Sequence, residues 1–397
     1  MVRALSRTAL PLRGRPPKLL FLGAWDWYFV CHRLSLALAA REAGYDVLVA
    51  TPPGPYVARL AEAGIRHVSI PMVRQGRNPI EDLRTAQSIV ALYRRERPDV
   101  VHHIALKPML YGTMAAKVTG VPAIVNAMGG LGYVFSTDAP LARAIRAGLT
   151  LAYKGLLTAP NTRVILQNED DRAAWVKWKL VPERRVVIVR GAGVDTTRFA
   201  PSPEPTGPKV VILPARLLKD KGLVELVEAA RILRREGADA RFVLVGEPDP
   251  GNPASATREE VLAWVREGVV EHAGWRDDMD RVHRESHVTC LPSYREGLPK
   301  ALLEAASSGR AIVATDVPGC REIARHEVNA LLVPPRDVEA LAAALRRVIG
   351  DDALRSRLGA RGREIVLAEF GDAIVADKTL AIYEELLEPT RAGLHAT

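Results

Sequence analysis

Two glutamates, Glu296 and Glu304, stand either side of an expected helix start in the run Pro292-Ser293-Tyr294-Arg295-Glu296-Gly297-Leu298-Pro299-Lys300, which ends an apolar stretch. A carboxylate ahead of such a turn can accept hydrogen bonds from sugar hydroxyls, and one a turn and a half into the helix can reach a ribose diol. Pro299 suits the first helical position, where its missing N–H would be an orphan anyway, and Gly297 lets backbone approach a ligand closely. The unpaired amides at the helix start form an anion site. Taken alone, the pair reads equally well as a helix cap and a solvated helix charge.

A second group alters that balance. Arg216 and Lys221 lie in Pro214-Ala215-Arg216-Leu217-Leu218-Lys219-Asp220-Lys221-Gly222, directly after an apolar run that reads as a strand. Cations at the carboxyl end of a parallel strand sit where open α/β sheets bind ligands. Two fixed there can neutralise a leaving diphosphate without a metal. The bland reading of Arg216 is a surface salt bridge, and Lys219 reads as solvated. In the first half, His102, His103 and Lys107 close the run Val100-Val101-His102-His103-Ile104-Ala105-Leu106-Lys107-Pro108, with Pro108 expected to start a helix. For His102, a side chain satisfied in the core is the competing reading.

The elements that must position these groups follow from periodicity. Short apolar runs (18–22, 46–50, 67–70, 100–104, 123–126 and 164–167) alternate with helical patterns, and a second series does the same at 209–213, 241–245, 269–272, 288–291, 311–314 and 330–333. Strict alternation implies right-handed crossovers and parallel sheets covered on both faces. The class is therefore α/β, with two Rossmann-like domains whose parallel sheets face across a cleft. The boundaries fall at 1–192 and 193–370, and the proline-rich stretch containing Pro201, Pro203, Pro205 and Pro208 reads as the linker. A last helix at 371–390 has enough apolar residues to cross back to the first domain.

The composition bounds the partners. A chain of 397 residues with 48% hydrophobic residues is globular, and its net charge of +9 favours anions. No zinc spacing, RNA-binding aromatic signature or lysine-rich tail is present, which argues against nucleic acid. Asp278-Met279-Asp280 has the D-x-D spelling of a metal site but precedes a helical pattern and reads as capping. The first domain lacks G-x-G-x-x-G, so no nicotinamide or flavin is expected. Three scattered cysteines and no run of 18 apolar residues fit a reduced cytoplasmic protein without a membrane span.

Together with Val245-Gly246-Glu247, Gly274-Trp275-Arg276-Asp277-Asp278 and Thr315-Asp316-Val317-Pro318-Gly319, these motifs make the chain resemble glycosyltransferase family 4, a retaining family of GT-B fold, over nearly its whole length. The resemblance implies Arg216 and Lys221 on the donor diphosphate, Glu304 on the ribose and Glu296 facing the sugar. The backbone of Gly297, Leu298, Pro299 and Lys300 completes the donor contacts, with Trp275 and Arg276 near the base. Gly246 is expected to give close approach at another strand end or to serve as a plain turn glycine. On the acceptor side the loops resemble those of bacterial enzymes that extend polyprenyl-diphosphate-linked sugars. This implies His102 near the reacting centre with His103 second, Arg33 and Lys107 on acceptor phosphates, and Gly130 lining the site.

The activity so implied is transfer of a hexose or N-acetylhexosamine from a nucleotide diphosphate sugar, UDP-linked by preference, to a lipid-linked or other glycan acceptor in cell-surface polysaccharide or glycoconjugate synthesis. No cofactor or metal is required. With a lipid-linked acceptor implied by the resemblance, the basic amphipathic stretch 141–157 suits peripheral contact with an anionic membrane at the inner face, ordinary packing of an amphipathic helix being the competing reading. A sugar-nucleotide epimerase of the same fold and a non-catalytic glycan- or lipid-binding subunit are the alternatives.

Overall fold

A computed structural model describes residues 8–73, 78–129 and 140–395. The chain divides into two compact units, Met1–Gly193 with Asp372–Thr397, and Val194–Gly371.

The first unit is built on a parallel sheet of β1 (Lys18–Gly23), β2 (Asp46–Thr51), β3 (Arg66–Ser69), β4 (Val100–Ile104), β5 (Ala123–Ala127), β6 (Thr162–Leu166) and β7 (Val186–Ile188), in the order β3-β2-β1-β4-β5-β6-β7. Strands such as Leu19-Leu20-Phe21-Leu22 are apolar on both faces because helices cover both. Leu19, Phe21 and Val49 pack with the helices Asp26–Glu42 and Asp372–His395, while Leu20, Leu22 and Ala50 pack on the opposite face with Pro79–Glu96 and Leu106–Thr119. Strand order reverses between β1 and β4, which opens the ligand-binding crevice of such sheets at their carboxyl ends.

The second unit repeats the plan with β8 (Lys209–Pro214), β9 (Ala240–Val245), β10 (Glu271–His272), β11 (Val288–Leu291), β12 (Ala311–Thr315) and β13 (Ala330–Val333), ordered β10-β9-β8-β11-β12-β13. Its switch point lies between β8 and β11.

Two sequence expectations change. β7 was not expected; Val186, Val187 and Ile188 are too few to show a period, and pairing with Val164, Ile165 and Leu166 makes them a strand. The proline-rich stretch is not a free linker either. Arg310, 2% exposed, donates to Ser202 Oγ at 2.7 Å and to the Pro203 carbonyl at 3.2 Å, and Arg355 donates to Glu204 at 3.0 Å. These buried guanidinium groups fasten the segment to the second unit.

Candidate active site

At the carboxyl end of β8 the chain turns into the loop that carries Arg216, whose Nη1 donates to Asp249 Oδ2 at 2.6 Å. A single 3-10 turn, Lys219–Lys221, follows and ends on Gly222 in the left-handed region at φ 72°. A Cβ at Gly222 would lie 2.1 Å from the Pro292 carbonyl oxygen, so only glycine lets this turn pass the end of β11. That close passage brings Lys221 to Glu296: Nζ donates to Oε1 at 2.6 Å. The Ser293 hydroxyl donates to the same oxygen at 2.7 Å, and Ser293 is completely buried. The carboxylate and the cation that the sequence placed in one site are therefore in direct contact.

The loops after β8, β9 and β10 are zipped together in turn. Leu217 N–H donates to the Glu247 carbonyl at 3.0 Å, and Gly246 N–H to the Gly274 carbonyl at 2.8 Å. Gly246 has φ 141°, and a Cβ there would stand 2.0 Å from the Ala215 carbonyl oxygen. Its close approach is to the backbone beside Arg216, which resolves the two readings of this glycine.

Glu304 is the fifth residue of the helix Lys300–Ser307 and is 8% exposed. Its Oε1 is 3.8 Å from Lys300 Nζ and its Oε2 3.8 Å from His283 Nε2. Pro299 is the residue before that helix rather than its first residue. The effect is the same, because the first-turn amides of Lys300 and Ala301 still precede any intrahelical acceptor. Leu298 buries its side chain in an apolar cluster with Leu302 and Val317, leaving backbone for a ligand. From the other side Gly319 comes so close to the Glu296 and Gly297 backbone that a Cβ would meet it at 2.5 Å.

Trp275 is 41% exposed and its Nε1 donates to Asp277 Oδ1 at 3.2 Å. Arg276 grips Asp278 through two hydrogen bonds of 2.6 Å, which hold the Asp278 carboxyl down at about 2. The capping role read for this acidic run is corrected here: Asp278 precedes the helix Met279–Arg284, but its carboxylate holds Arg276 and makes no cap bond. Arg276 is thus held by Asp278 within the loop that carries Trp275.

In the first unit the histidine expectations are corrected. His102 and His103 lie in the middle of β4, register-paired with Phe21 and Leu22, and both are completely buried. His102 joins the Tyr383 hydroxyl through Nδ1 at 2.5 Å, under the helix Asp372–His395. His103 faces the opposite layer, bonded to Asn126 at 2.8 Å and to the Tyr93 hydroxyl at 2.9 Å. A reacting centre at the sheet edge is out of reach of both.

Arg33 is also enclosed, at 4% exposure, on the same helix face as Phe29, Leu36 and Ala40. Its Nε has no hydrogen bond, and no ion-pair partner faces it among the described residues. Its charge is felt by the buried His102 and Tyr383. Lys107, the second residue of Leu106–Thr119, is held by Asp82 at 2.8 Å and by the Val73 carbonyl at 3.1 Å. Pro108 is third in that helix instead of first. Gly130 lies outside the described residues.

Asp249, Ser293, His283 and Asp82 were missed. Ser293 left a trace within the run 292–300, and Asp249 one as the second acid of Glu247-Pro248-Asp249 after a strand end.

Burial pushes the His102 ring well below its ordinary value, reinforced by Arg33, and that of His103 down to about 4. Both are neutral in the folded protein, whereas the unfolded chain takes up protons below about 6.5. Their contribution is thus complete above that pH and is lost as pH falls from about 6.5 toward 4. The melting temperature of the first unit should fall across this window, and His103→Gln should flatten the decline; an unchanged slope removes His103 from the account.

With the geometry in place, comparison with known proteins gives the family. Residues 194–365 match the model "Glycosyl transferases group 1", and residues 18–168 match "Glycosyl transferase 4-like". A Campylobacter jejuni N,N'-diacetylbacillosaminyl-diphospho-undecaprenol alpha-1,3-N-acetylgalactosaminyltransferase is 24% identical over 92% of this chain and 97% of its own. An Escherichia coli UDP-Gal:alpha-D-GlcNAc-diphosphoundecaprenol alpha-1,3-galactosyltransferase is 25% identical over 86% and 90%. Among solved structures, Anabaena HepE in complex with UDP superposes with a TM-score of 0.75 at 18% identity, over 92% of this chain and 98% of that one. That likeness shows the fold, GT-B, with two parallel-sheet α/β domains. Matched in this order over most of its length, the chain belongs to the glycosyltransferases that join a glycosyl transferase 4-like domain to a group 1 domain.

Proposed function

We propose that the chain is a retaining, metal-independent glycosyltransferase that moves a hexose or N-acetylhexosamine from a UDP-sugar to a polyprenyl-diphosphate-linked acceptor in cell-surface polysaccharide or glycoconjugate synthesis. The observation that carries this reading is the contact of Glu296 with both Lys221 and Ser293 at the carboxyl end of β11, with Arg216 in the loop after β8. Each cation is balanced by a carboxylate, Lys221 by Glu296 and Arg216 by Asp249. An arriving diphosphate offers stronger acceptors to both cations and releases Glu296 toward the sugar hydroxyls, while Glu304 takes the ribose. The acceptor hydroxyl attacks the anomeric carbon from the face the diphosphate leaves, and its proton passes to the departing phosphate oxygen. Arg216 and Lys221 stabilise the charge that develops there.

The UDP preference and the lipid-linked acceptor draw on the relatives, whose names carry UDP-galactose and diphosphoundecaprenol, and on the UDP bound to HepE. Among the described residues no helix is long and apolar enough to cross a membrane. Peripheral contact suits the helix Pro140–Leu156, which exposes Arg143, Lys154 and Leu151, the last at 77%. Neighbouring Val118 is 67% exposed, and Lys117 bonds the Gly155 carbonyl at 2.7 Å. Apolar and basic side chains presented together match an anionic lipid surface.

The test is incubation of purified protein with UDP- and GDP-sugars and a polyprenyl-diphosphate-linked monosaccharide, with mass spectrometry of the lipid product. A gain of one sugar from a UDP donor is expected; nucleotide-sugar binding without product across acceptors overturns the transfer reading. EDTA should leave most of the activity intact. Complete loss that Mn²⁺ restores overturns the metal-free mechanism.

A further inference from the structure

His283 is one of several buried side chains with an unsatisfied polar atom among the described residues, and its free nitrogen faces Glu304. It lies near the end of the helix Met279–Arg284 and is completely buried, yet among the described residues its Nε2 makes no hydrogen bond. Leaving a buried ring nitrogen unsatisfied costs stability. The rest of the residue is tightly fixed. Arg310 Nε and Ser286 Oγ donate to its backbone carbonyl at 2.8 and 3.0 Å, and Phe199 packs edge-on at 6.0 Å between ring centres. The buried Thr289 hydroxyl stands 3.4 Å from Nδ1.

Nε2 itself stands 3.8 Å from Glu304 Oε2, just beyond hydrogen-bond length. When Thr289 donates to Nδ1, the ring proton resides on Nε2, facing a carboxylate that can only accept. Lys300 Nζ stands at the same 3.8 Å from Oε1. The carboxylate is thus flanked by a donor on each oxygen, one of them on a rigid, fully enclosed side chain.

We propose that His283 is a positioning residue for Glu304, closing this gap when Glu304 accepts a ribose diol and so making the site select ribonucleotide over 2′-deoxyribonucleotide donors. The inference rests on the assignment of Glu304 to the ribose. A carboxylate that must accept from two neighbouring hydroxyls needs a fixed rotamer, and a buried donor on one oxygen supplies it. A site built to bond a hydroxyl discriminates strongly against the analogue lacking it, because its polar groups are then left unpaired. Closing the gap would tie Glu304 to the helix that follows Trp275 and Arg276.

The experiment is calorimetric binding of UDP and 2′-deoxy-UDP to the full-length protein and its variants. The wild type should prefer UDP by at least about tenfold, and Glu304→Ala should abolish the preference. His283→Leu should reduce the preference about tenfold, whereas His283→Gln, which restores an amide donor at similar reach, should recover most of it. A merely structural role for His283 would weaken both nucleotides alike and leave their ratio unchanged, and that result overturns the proposal. Thr289→Val keeps the imidazole but removes the hydroxyl that fixes its tautomer. It carries the same test if the leucine variant does not fold, with an unchanged ratio again overturning the proposal. Preference lost in Glu304→Ala but intact in His283→Leu sinks the role of His283 alone. Preference intact in Glu304→Ala, or absent from the wild type, overturns the ribose assignment and the proposal with it.

Discussion

Glu296→Gln lowers turnover by more than about 100-fold while leaving the melting temperature of the protein close to that of the wild type. The two halves of this expectation have different causes. An amide oxygen can replace Oε1 as acceptor for the Ser293 hydroxyl at 2.7 Å and for Lys221 at 2.6 Å, so the loop after β11 keeps its local bonds. What disappears is the charge. The remaining oxygen, which would accept from the sugar hydroxyls, becomes an N–H₂ that can only donate. Lys221 also loses the counter-charge that holds it in place before the donor arrives. The measurement is steady-state transfer with saturating UDP-sugar, so that the loss is read in kcat. Wild-type turnover in a folded variant would reduce Glu296 to a structural partner of Lys221. Ser293→Ala, which removes one donor and no charge, should cost far less.

Much of this arrangement was legible in the sequence because it depends on local chemistry. Unbroken apolar runs such as Leu19–Leu22 announce strands covered on both faces, and their alternation with helices announces the two parallel sheets. Arg216 and Lys221 were placed because they directly follow such a run, and Glu296 with Glu304 because proline and glycine punctuate the helix start between them. The same doubly buried strands hide another kind of information. When both faces are apolar, no alternation shows which way a polar residue points, or how far along the strand the ligand edge lies. His102 and His103 therefore read as site residues, although the register with Phe21 and Leu22 sets them mid-strand in opposite layers. Arg33 misleads similarly: a charge on a helix suggests solvent, yet it shares the stripe of Phe29, Leu36 and Ala40. Partners distant in sequence were invisible for a plainer reason. Asp249 for Arg216, Asp82 for Lys107 and Tyr383 for His102 are joined by sheet order and by the returning last helix, neither of which any local pattern records.

Arg216→Ala lowers kcat/KM for the UDP-sugar by more than about 100-fold, and the size of the effect separates its two possible origins. Arg216 is bonded to Asp249 at 2.6 Å, with the arginine side chain 34% exposed. A partly exposed ion pair of this kind contributes about 1 kcal/mol or less. A hundredfold change in rate requires about 2.7 kcal/mol. Loss of the pair alone cannot supply that, so the remainder must come from an interaction Arg216 makes with the donor as charge develops on the departing diphosphate. Asp249→Ala separates the two contributions. It breaks the same ion pair but leaves the guanidinium free to meet a diphosphate, so it should preserve most of the activity and tighten UDP binding. Equal, small losses in both variants would identify the pair as a loop fastening and remove Arg216 from the reacting site. A large loss in Arg216→Ala beside near-wild-type Asp249→Ala would make Asp249 the placeholder that holds the cation ready until the diphosphate displaces it.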